Sequence, residues 1–511
     1  MTNVVLIVCD DLGYSDVGCY GGELDTPAVD GLARDGVRLS QFYNTARCSP
    51  SRASLLTGLH PHETGVGVLA QGIDDRPDGY QGHLNDRCTT VAEILKRHGY
   101  ATALTGKWHL ARDARAPDDT WPTRRGFDEF YGTLVGAGSY FEPATLSRGE
   151  QNVEHEAREP GFYYTDAITD EARAFVERTN GPFFLYVAYT APHWPLHALE
   201  DDIRKYDGVF DEGWDTLRAR RLRNLTDRGL LDERAQLSPR DARVEPWRHD
   251  EWQLDRMRVY AAQIDRMDQG IARLVSALRA RGVLDDTLHL FHSDNGASDE
   301  ELPKNERFAE RADIVPPGVR VGNTPAVRPG PPDTYASYGV GWANLSNAPF
   351  RLYKRWVHEG GIATPLVVHW PDGGLRGGAV AHTLFQLTDV LPTILDATGV
   401  PMPPELGGRS MLPALRGESQ EEQPLFWEHT GNGAVRLGDW KLVRGFGGAW
   451  ELYSMSLDRA ELHDLAAEHP QLVVELAALY DAWAERAGVI PWQVIVDLYE
   501  RRGQSEEDAW M

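Results

Sequence analysis

Five short apolar runs, each bounded by turn residues, recur along the chain. They are "NVVLIV", "ATALTG", "PFFLYVAY", "TLHLFHSD" and "ATPLVVHW". Between several of them, apolar positions recur every three or four residues, as in "TTVAEILKRHGY", "TDAITDEARAFVERT" and "YAAQIDRMDQGIARLVSALRARG". The short runs are typical of buried strands, and the longer periodic segments predict amphipathic helices. Their alternation predicts an α/β fold with a large, mostly parallel mixed sheet flanked by helices on both faces.

Two long stretches interrupt this alternation. Residues 200–250 are rich in charge, as in "LRARRLRNL", and we predict that they form a solvated helical insertion. Residues 298–350 carry many prolines and glycines and too few apolar residues for a core element. A loop of that length in a compact domain is usually functional or disordered, and the sequence does not decide between the two.

The composition changes towards proline and glycine near residues 399–418, which suggests a boundary. Beyond it, "QPLFWEHTGNGAVRLGDWKLVRG" and "WELYSMSLD" predict short antiparallel strands, and "PQLVVELAALYDAWAERAG" predicts an amphipathic helix. We therefore predict a large N-terminal domain at residues 1–400, which carries both insertions, and a smaller C-terminal α+β domain at residues 401–511.

The charge balance of the chain restricts its partners. The 511 residues include 52 Lys and Arg against 77 Asp and Glu, which gives a net charge of −25. A charge of this sign repels nucleic acid and anionic membrane surfaces at long range, so neither is expected as a partner. The four cysteines, Cys9, Cys19, Cys48 and Cys88, have no CxxC spacing and fit a reducing compartment.

The N-terminal stretch "MTNVVLIVCDD" reads as a buried first strand. Its apolar run is too short for a membrane span of about 20 residues. It also lacks the charged leader and the small-residue cleavage site of a signal peptide. We therefore expect a cytoplasmic protein.

Two of the predicted strands end in polar pairs. Asp10 and Asp11 follow the first strand, and Asp294 and Asn295 follow "TLHLFHS". Adjacent carboxylates repel each other unless a cation neutralises them, and carboxylate and amide oxygens suit a hard ion such as Ca²⁺ or Mg²⁺. Asp-Asp and Asp-Asn-Gly are more often simple turns, and that alternative stays open.

Basic side chains follow other strands. Lys107 and His109 lie two apart in "TGKWHL", so an extended segment would place both on one side. His193 lies in "YTAPHWPLHA" and Lys354 in "FRLYKRWVHEGG". Taken singly, each is more often a surface residue. Their shared position after strands, in a chain so acidic overall, predicts a local site for an anion.

These motifs carry a family resemblance. "CSPSRASLLTG" resembles the signature of the type I sulfatases, Cys-x-Pro-Ser-Arg-x-x-x-Leu-Thr-Gly, at every defined position. The segments "CDDLGYSDVGCYGG", "GKWH", "APHWP", "HSDNG" and "EGGIATPLVVHWP" resemble other blocks of that family in the same order, from residue 3 to about residue 480. "YGVGWANLSNAPFRLYKRWVHEGGI" is most similar to bacterial arylsulfatases. The resemblance implies an alkaline-phosphatase-like fold and hydrolysis of aryl or alkyl sulfates to an alcohol and inorganic sulfate.

The same resemblance implies a role for Cys48. In this family a formylglycine-generating enzyme oxidises the cysteine to Cα-formylglycine, which hydrates to a geminal diol. One hydroxyl of the diol attacks sulfur and expels the alcohol, and the second lets the sulfate leave by elimination.

The resemblance also implies roles for the other motif residues. The ligands of one Ca²⁺, with Mg²⁺ or Mn²⁺ as alternatives, would be Asp10, Asp11, Asp294, Asn295 and the modified Cys48. Arg52, four residues after Cys48 and on the same helix face, would hold the diol oxygens or sulfate. Lys107 and Lys354 would bind sulfate, His193 would protonate the leaving alcohol, and His109 would be the base for elimination.

Two other functions remain open at this point. Related formylglycine enzymes hydrolyse phosphonate monoesters and phosphodiesters with nearly the same residues. A non-catalytic, anion-binding homologue with an unmodified Cys48 is the other, although an intact His109 and His193 argue against it.

The partner implied is a small-molecule sulfate ester whose leaving group is not readable from the sequence. Contacts to it would come from the two insertions. The aromatic residues that hint at an apolar or ring-shaped leaving group are Trp194, Tyr335, Tyr338 and Trp342. The oligomeric state is also open.

Overall fold

The computed structural model describes residues 1–70, 76–303, 308, 311, 313–375, 377–404 and 406–503. Its strands are β1 (Asn3–Cys9), β2 (Val37–Tyr43), β3 (Ala101–Gly106), β4 (Glu129–Gly132), β5 (Ser147–Arg148), β6 (Gln151–Asn152), β7 (Phe183–Ala188), β8 (Thr287–Ser293), β9 (Arg320–Val321), β10 (Thr334–Tyr335), β11 (Ala363–His369), β12 (Ala379–Ala381), β13 (Phe385–Gln386), β14 (Leu425–His429), β15 (Asn432–Leu437), β16 (Trp440–Arg444) and β17 (Glu451–Ser454). Its helices are α1 (Pro27–Asp35), α2 (Cys48–Thr57), α3 (Val91–Arg97), α4 (Tyr164–Arg178), α5 (Glu200–Arg204), α6 (Gly213–Asp227), α7 (Glu251–Ala280), α8 (Gly339–Ser346), α9 (Glu359–Ile362), α10 (Val390–Thr398), α11 (Leu412–Leu415), α12 (Pro470–Ala487) and α13 (Gln493–Arg501).

The large sheet is mixed and mostly parallel in its centre. β1 lies between β7 and β8 and is parallel to both, and β3 and β4 extend the parallel part. β11 is antiparallel to both of its neighbours, β8 and β2. Within the described residues the sheet has 11 strands, in the order β12-β2-β11-β8-β1-β7-β3-β4-β5-β6, with β13 also paired to β2. The predicted fold class is confirmed.

Helices cover both faces of this sheet. Every residue of β1, β7, β8 and β11 is buried, as expected for strands enclosed on both sides. Apolar side chains of α1, α4 and α7 pack on one face, and those of α2, α3 and α10 on the other. The five apolar runs that the sequence predicts as strands are these four strands and β3.

β2 is a strand that hydrophobic runs do not reveal. Its sequence "VRLSQFY" places Arg38, Ser40 and Gln41 among the apolar residues. Arg38 does not disturb the strand because its guanidinium donates to the carbonyl of Cys19 at 2.9 Å. This contact joins Arg38 to a residue 19 positions earlier in the chain. It allows a polar side chain at a position in β2 where the hydrophobic pattern does not predict a strand.

The insertion at residues 200–250 is helical only in its first half. α5 and α6 lie there, and residues 231–250 contain no helix. α6 is not simply solvated, because Arg218 and Arg221 are buried in its inner face. Arg221 pairs with Asp16 at 2.7 Å and with Glu23 at 2.8 Å. The prediction of a solvated helix is therefore wrong for this face.

The segment 298–350 is packed through its aromatic and aliphatic side chains. A satellite cluster joins Trp194, Leu302, Phe308, Ile314, Val315 and Tyr335. Trp342 packs against Trp214, with ring centroids 5.1 Å apart, and Tyr338 stacks on Tyr260 at 4.2 Å. The packing of these aromatic side chains holds the segment 298–350 against the rest of the protein.

The C-terminal part forms the predicted short antiparallel sheet. β14 to β17 pair in sequence order, and α12 packs on one face. α13 packs against Val68 and Tyr80, so the end of the described chain covers its own N-terminal half. The division near residue 400 stays a prediction.

No helix within the described ranges is long and apolar enough to cross a membrane.

A buried ion-pair network joins the small sheet to the large one. Glu359 in α9 accepts hydrogen bonds from Lys441 at 3.0 Å, Arg459 at 3.0 Å and Tyr43 at 3.1 Å. Burial alone would raise the pKa of Glu359, but Lys441 and Arg459 hold it at about 2. Lys441 also pairs with Glu461 at 2.7 Å. The network keeps Glu359 ionised in the interior.

We expect Lys441→Met to destabilise the fold strongly, because it leaves the buried carboxylates of Glu359 and Glu461 without their shared cation. Removing one partner of a buried pair costs about 3–5 kcal/mol. The measurement is the midpoint of thermal unfolding at neutral pH. The control is Lys96→Met, because the Lys96–Asp128 pair is exposed and such pairs contribute little. Equal midpoints for the two variants would contradict the expectation.

Candidate active site

The polar residues predicted from the sequence converge at the carboxyl edge of the large sheet. Main-chain hydrogen bonds fix the strand ends there, from Asp10 N to the carbonyl of Ala191 and from Asp294 N to that of Cys9, both at 3.1 Å. Each predicted residue is buried: Asp10, Asp11, Cys48, Arg52, Lys107, His109, His193, Asp294, Asn295 and Lys354. Open parallel sheets bind ligands at this edge.

Asp10 and Asp294 form a buried acidic pair. Burial and the neighbouring Asp294 raise the pKa of Asp10. Lys107 opposes this effect, with its Nζ 2.5 Å from Asp10 Oδ2. Arg52 binds Asp294 Oδ2 through Nη2 at 2.8 Å and Nε at 3.0 Å. Each of the two carboxylates thus has a buried cation as its partner.

Asp11 lies at the turn after β1, with a φ of +66°. Lys354 Nζ lies 2.8 Å and 2.9 Å from its two carboxylate oxygens, and Asn295 Nδ2 donates to Oδ1 at 2.6 Å. Burial would raise the pKa of Asp11, but His193 and Lys354 lower it below its usual value. The carboxylate is therefore ionised.

The oxygen atoms at this edge fit a hard cation. Asp10 Oδ1 and Asn295 Oδ1 are buried and have no hydrogen-bond partner within the part of the chain that the structure describes. Buried polar atoms are normally paired, and oxygens without donors suit a metal ion. Donor atoms of Asp10, Asp11 and His193 also lie within 4.8 Å of one another. A hard ion prefers the carboxylate and amide oxygens to the imidazole.

Cys48 is the first residue of α2, and Arg52 lies one turn further along the same helix. Cys48 and Arg52 therefore lie four residues apart on one helix, as the prediction from the signature requires. Besides Asp294, Arg52 donates to the carbonyl of Lys107 at 3.0 Å and to the hydroxyl of Tyr186 at 3.3 Å. These contacts hold α2 against the ends of two strands.

The backbone conformation at His109 differs from the extended one that the sequence predicts. Its φ is +58°, so the segment from Lys107 to His109 is not extended. Its ring lies against Gly136, where an added Cβ would come within 2.2 Å of Cε1. Burial, and then the charges of Lys107 and Arg52, lower the pKa of His109 well below its ordinary value. The imidazole is neutral and can accept a proton.

The protonation of His193 can be assigned from its contacts. Nδ1 lies 2.6 Å from the carbonyl oxygen of Trp194, which only accepts, so Nδ1 carries the proton. The lone pair of Nε2 then faces Lys354 Nζ at 3.2 Å. Burial lowers the pKa of His193 to about 4. A neutral imidazole and an ammonium group are thus in hydrogen-bond contact.

Several supporting residues were not found from the sequence. Asp16 accepts from Gly13 N at 2.9 Å and from the hydroxyl of Tyr260 at 2.7 Å, which shapes the turn that carries Asp11. Asp16 lies in the quoted block "CDDLGYSDVGCYGG", so the motif contained this signal. Arg221, Tyr186, Arg47 and Glu300 lie in no motif, and only their contacts identify them.

Two family models match the chain. The family model described as Sulfatase matches residues 2–400. A second one, described as N-sulphoglucosamine sulphohydrolase, C-terminal, matches residues 350–479.

Individual relatives span nearly the whole chain. An uncharacterized sulfatase of Schizosaccharomyces pombe is 32% identical, with 96% of this chain and 94% of the relative covered. An arylsulfatase of Klebsiella aerogenes is 31% identical, with 81% and 90% covered. The crystal structure of Ps i-CgsB in complex with k-i-k-neocarrahexaose has a TM-score of 0.66 and 25% identity, with 94% of this chain and 92% of that chain covered.

The fold and the buried polar edge define an enzyme of the alkaline-phosphatase-like class. The chain belongs to the sulfatase family and is a sulfuric ester hydrolase. The recognition made from the signature is confirmed.

We expect Gly136→Ala to impair turnover, because the new methyl group would displace the ring of His109. A misplacement of about 1 Å in a catalytic group can cost about 100-fold in rate. The measurement is kcat for 4-nitrophenyl sulfate, with circular dichroism as a check on folding.

Gly138→Ala is the matched control, since its Cβ would meet only the main-chain nitrogen of Ala144 at 3.8 Å. It should keep kcat near the wild-type value. The expectation fails if both variants lose activity equally.

Proposed function

We propose that the protein hydrolyses aryl or alkyl sulfate monoesters to an alcohol and inorganic sulfate. In this proposal Cys48 is converted to formylglycine, and Asp10, Asp11, Asp294 and Asn295 hold one Ca²⁺. The observation that carries the proposal is the ring of buried cationic and imidazole groups around these oxygens: Arg52, Lys107, Lys354, His109 and His193.

A sulfate ester is an anion that repels nucleophiles, so its charge has to be neutralised before attack. Lys107 contacts Asp10 and Lys354 contacts Asp11, and in the proposal both lysines also donate to sulfate oxygens. When bound, Ca²⁺ would draw off negative charge and make a nearby hydroxyl more acidic. The hydrated formylglycine would supply the attacking oxygen.

His193 and Lys354 would act together on the leaving alcohol. His193 Nε2 lies 3.2 Å from the ammonium group of Lys354, so an ester oxygen bound there would meet both groups. The carbonyl of Trp194 accepts a hydrogen bond from Nδ1 and orients the ring. The proton that the attacking hydroxyl loses would pass through His193 to the departing oxygen.

His109 would act as the base in the second half of the reaction. Burial, and after it the positive charges of Lys107 and Arg52, lower the pKa of its imidazole and keep the ring neutral. It would accept the proton released as sulfate departs.

The first test is the mass of the peptide that contains Cys48, from protein made in a host able to perform the oxidation. We expect a loss of about 18 Da as the thiol carbon becomes an aldehyde. Cys48→Ala should lose turnover of 4-nitrophenyl sulfate, whereas the buried control Cys88→Ala should retain it. An unmodified thiol in a fully active enzyme would overturn the proposal.

The substrate class is tested with matched aryl esters. We expect kcat/KM for an aryl sulfate to exceed that for an aryl phosphonate monoester. A preference for the phosphonate by about tenfold or more, equivalent to about 1.4 kcal/mol, would replace the assignment by the phosphorus alternative.

Removal of the metal provides a further test. We expect chelation to lower both turnover and the thermal midpoint, because Asp10 and Asp294 then repel each other without a cation between them. Added Ca²⁺ should restore both, with Mg²⁺ and Mn²⁺ compared in parallel. A chelated enzyme with an unchanged midpoint would argue against a bound ion.

A further inference from the structure

Glu300 lies at the outer border of the site, five positions after Asn295. Its carboxylate contacts three donors: Trp194 Nε1 at 2.6 Å, Arg47 Nη1 at 3.2 Å and Lys354 Nζ at 3.8 Å. The side chain of Glu300 is 12% exposed, against 4% for Arg47 and 2% for Lys354. Glu300 is therefore the member of this group that lies nearest to solvent.

Each of the three donors adjoins a residue of the proposed chemistry. Arg47 directly precedes Cys48, and Trp194 directly follows His193. Lys354 contacts both Asp11 and His193. Because Glu300 is the most exposed of these four residues, we take it to mark the solvent side of the site, called the entrance below, next to the nucleophile and the group that meets the leaving alcohol.

At this entrance two cations, Arg47 and Lys354, face two carboxylates, Glu300 and Asp11. Burial would lower the pKa of Arg47, but Glu300 is the largest of the influences that raise it above its usual value. Two buried cations at an entrance would normally bind a second anionic group of a substrate, such as a carboxylate or another sulfate. Here Glu300 already pairs with both cations, and its own charge repels such a group.

We infer that Glu300 makes the site selective for sulfate esters whose leaving group carries no second negative charge. The substrate class is therefore monoanionic aryl or alkyl sulfates with neutral or cationic leaving groups, in preference to carboxylated or multiply sulfated compounds. The net charge of −25 acts in the same direction, because it disfavours the approach of polyanions. This inference rests on the proposed function and refines it.

The test compares two substrates that differ by one carboxylate: 4-nitrophenyl sulfate and 2-nitro-5-(sulfooxy)benzoate. We expect the wild-type enzyme to favour the first in kcat/KM by about tenfold or more, as for a like charge placed close to a buried carboxylate. Glu300→Gln should reduce this ratio by about the same factor, mainly through a lower KM for the carboxylated ester.

Glu301→Gln is the matched control on the same loop. The carboxylate of Glu301 is half exposed and faces Arg256 at 3.2 Å, so this variant should keep the wild-type ratio. Glu300→Asp retains the charge and should also stay selective.

The outcomes separate the inference from the proposed function. If the wild type hydrolyses neither ester, the proposed function fails. If it hydrolyses both with equal efficiency, or if folded Glu300→Gln keeps the full wild-type ratio, only the selectivity inference is overturned. If Glu300→Gln does not fold, the wild-type comparison still tests the inference, because equal efficiency for the two esters would overturn it.

Discussion

The arrangement of the site depends on one electrostatic constraint, the burial of like charges at a sheet edge. Asp10 and Asp294 follow neighbouring strands, and burial together with the charge of Asp294 raises the pKa of Asp10. Their compensation comes from Arg52 in α2 and Lys107 after β3, which are distant in sequence. Charge balance therefore fixes the positions of α2 and the two strand ends relative to each other, and with them the position of Cys48.

A second layer of ion pairs supports the first. Asp16 shapes the turn after β1 and is itself held by Arg221 from α6 and by Tyr260 from α7. The charged insertion at residues 200–250 thus reaches the loop that carries Asp11. On the outer side, Glu300 balances Arg47 and Lys354. From Asp10 and Lys107 to Arg47 and Glu300, positive and negative side chains alternate, and each of these buried charges has a partner of opposite sign.

The sequence predicts well what depends on local patterns. Continuous apolar runs identify the central strands, and the signature around Cys48 identifies the family. The sequence does not predict features that depend on contacts between residues distant in the chain. β2 contains Arg38, whose guanidinium donates to the carbonyls of Cys19 and Gly378, and the ring of His109 occupies space that Gly136 leaves open. Glu300 has no local signal, because its importance comes from partners in three other segments.

The central position of β1 has a consequence for synthesis of the protein. Its two neighbours, β7 and β8, begin at Phe183 and Thr287, so this strand is synthesised well before both of its partners. At about 5–20 residues per second, β8 follows β1 by roughly 15–60 s. Until β8 has been made, "NVVLIV" keeps at least one unpaired apolar edge, and such edges are prone to aggregation. Shielding of β1 during translation would therefore raise the yield of folded protein.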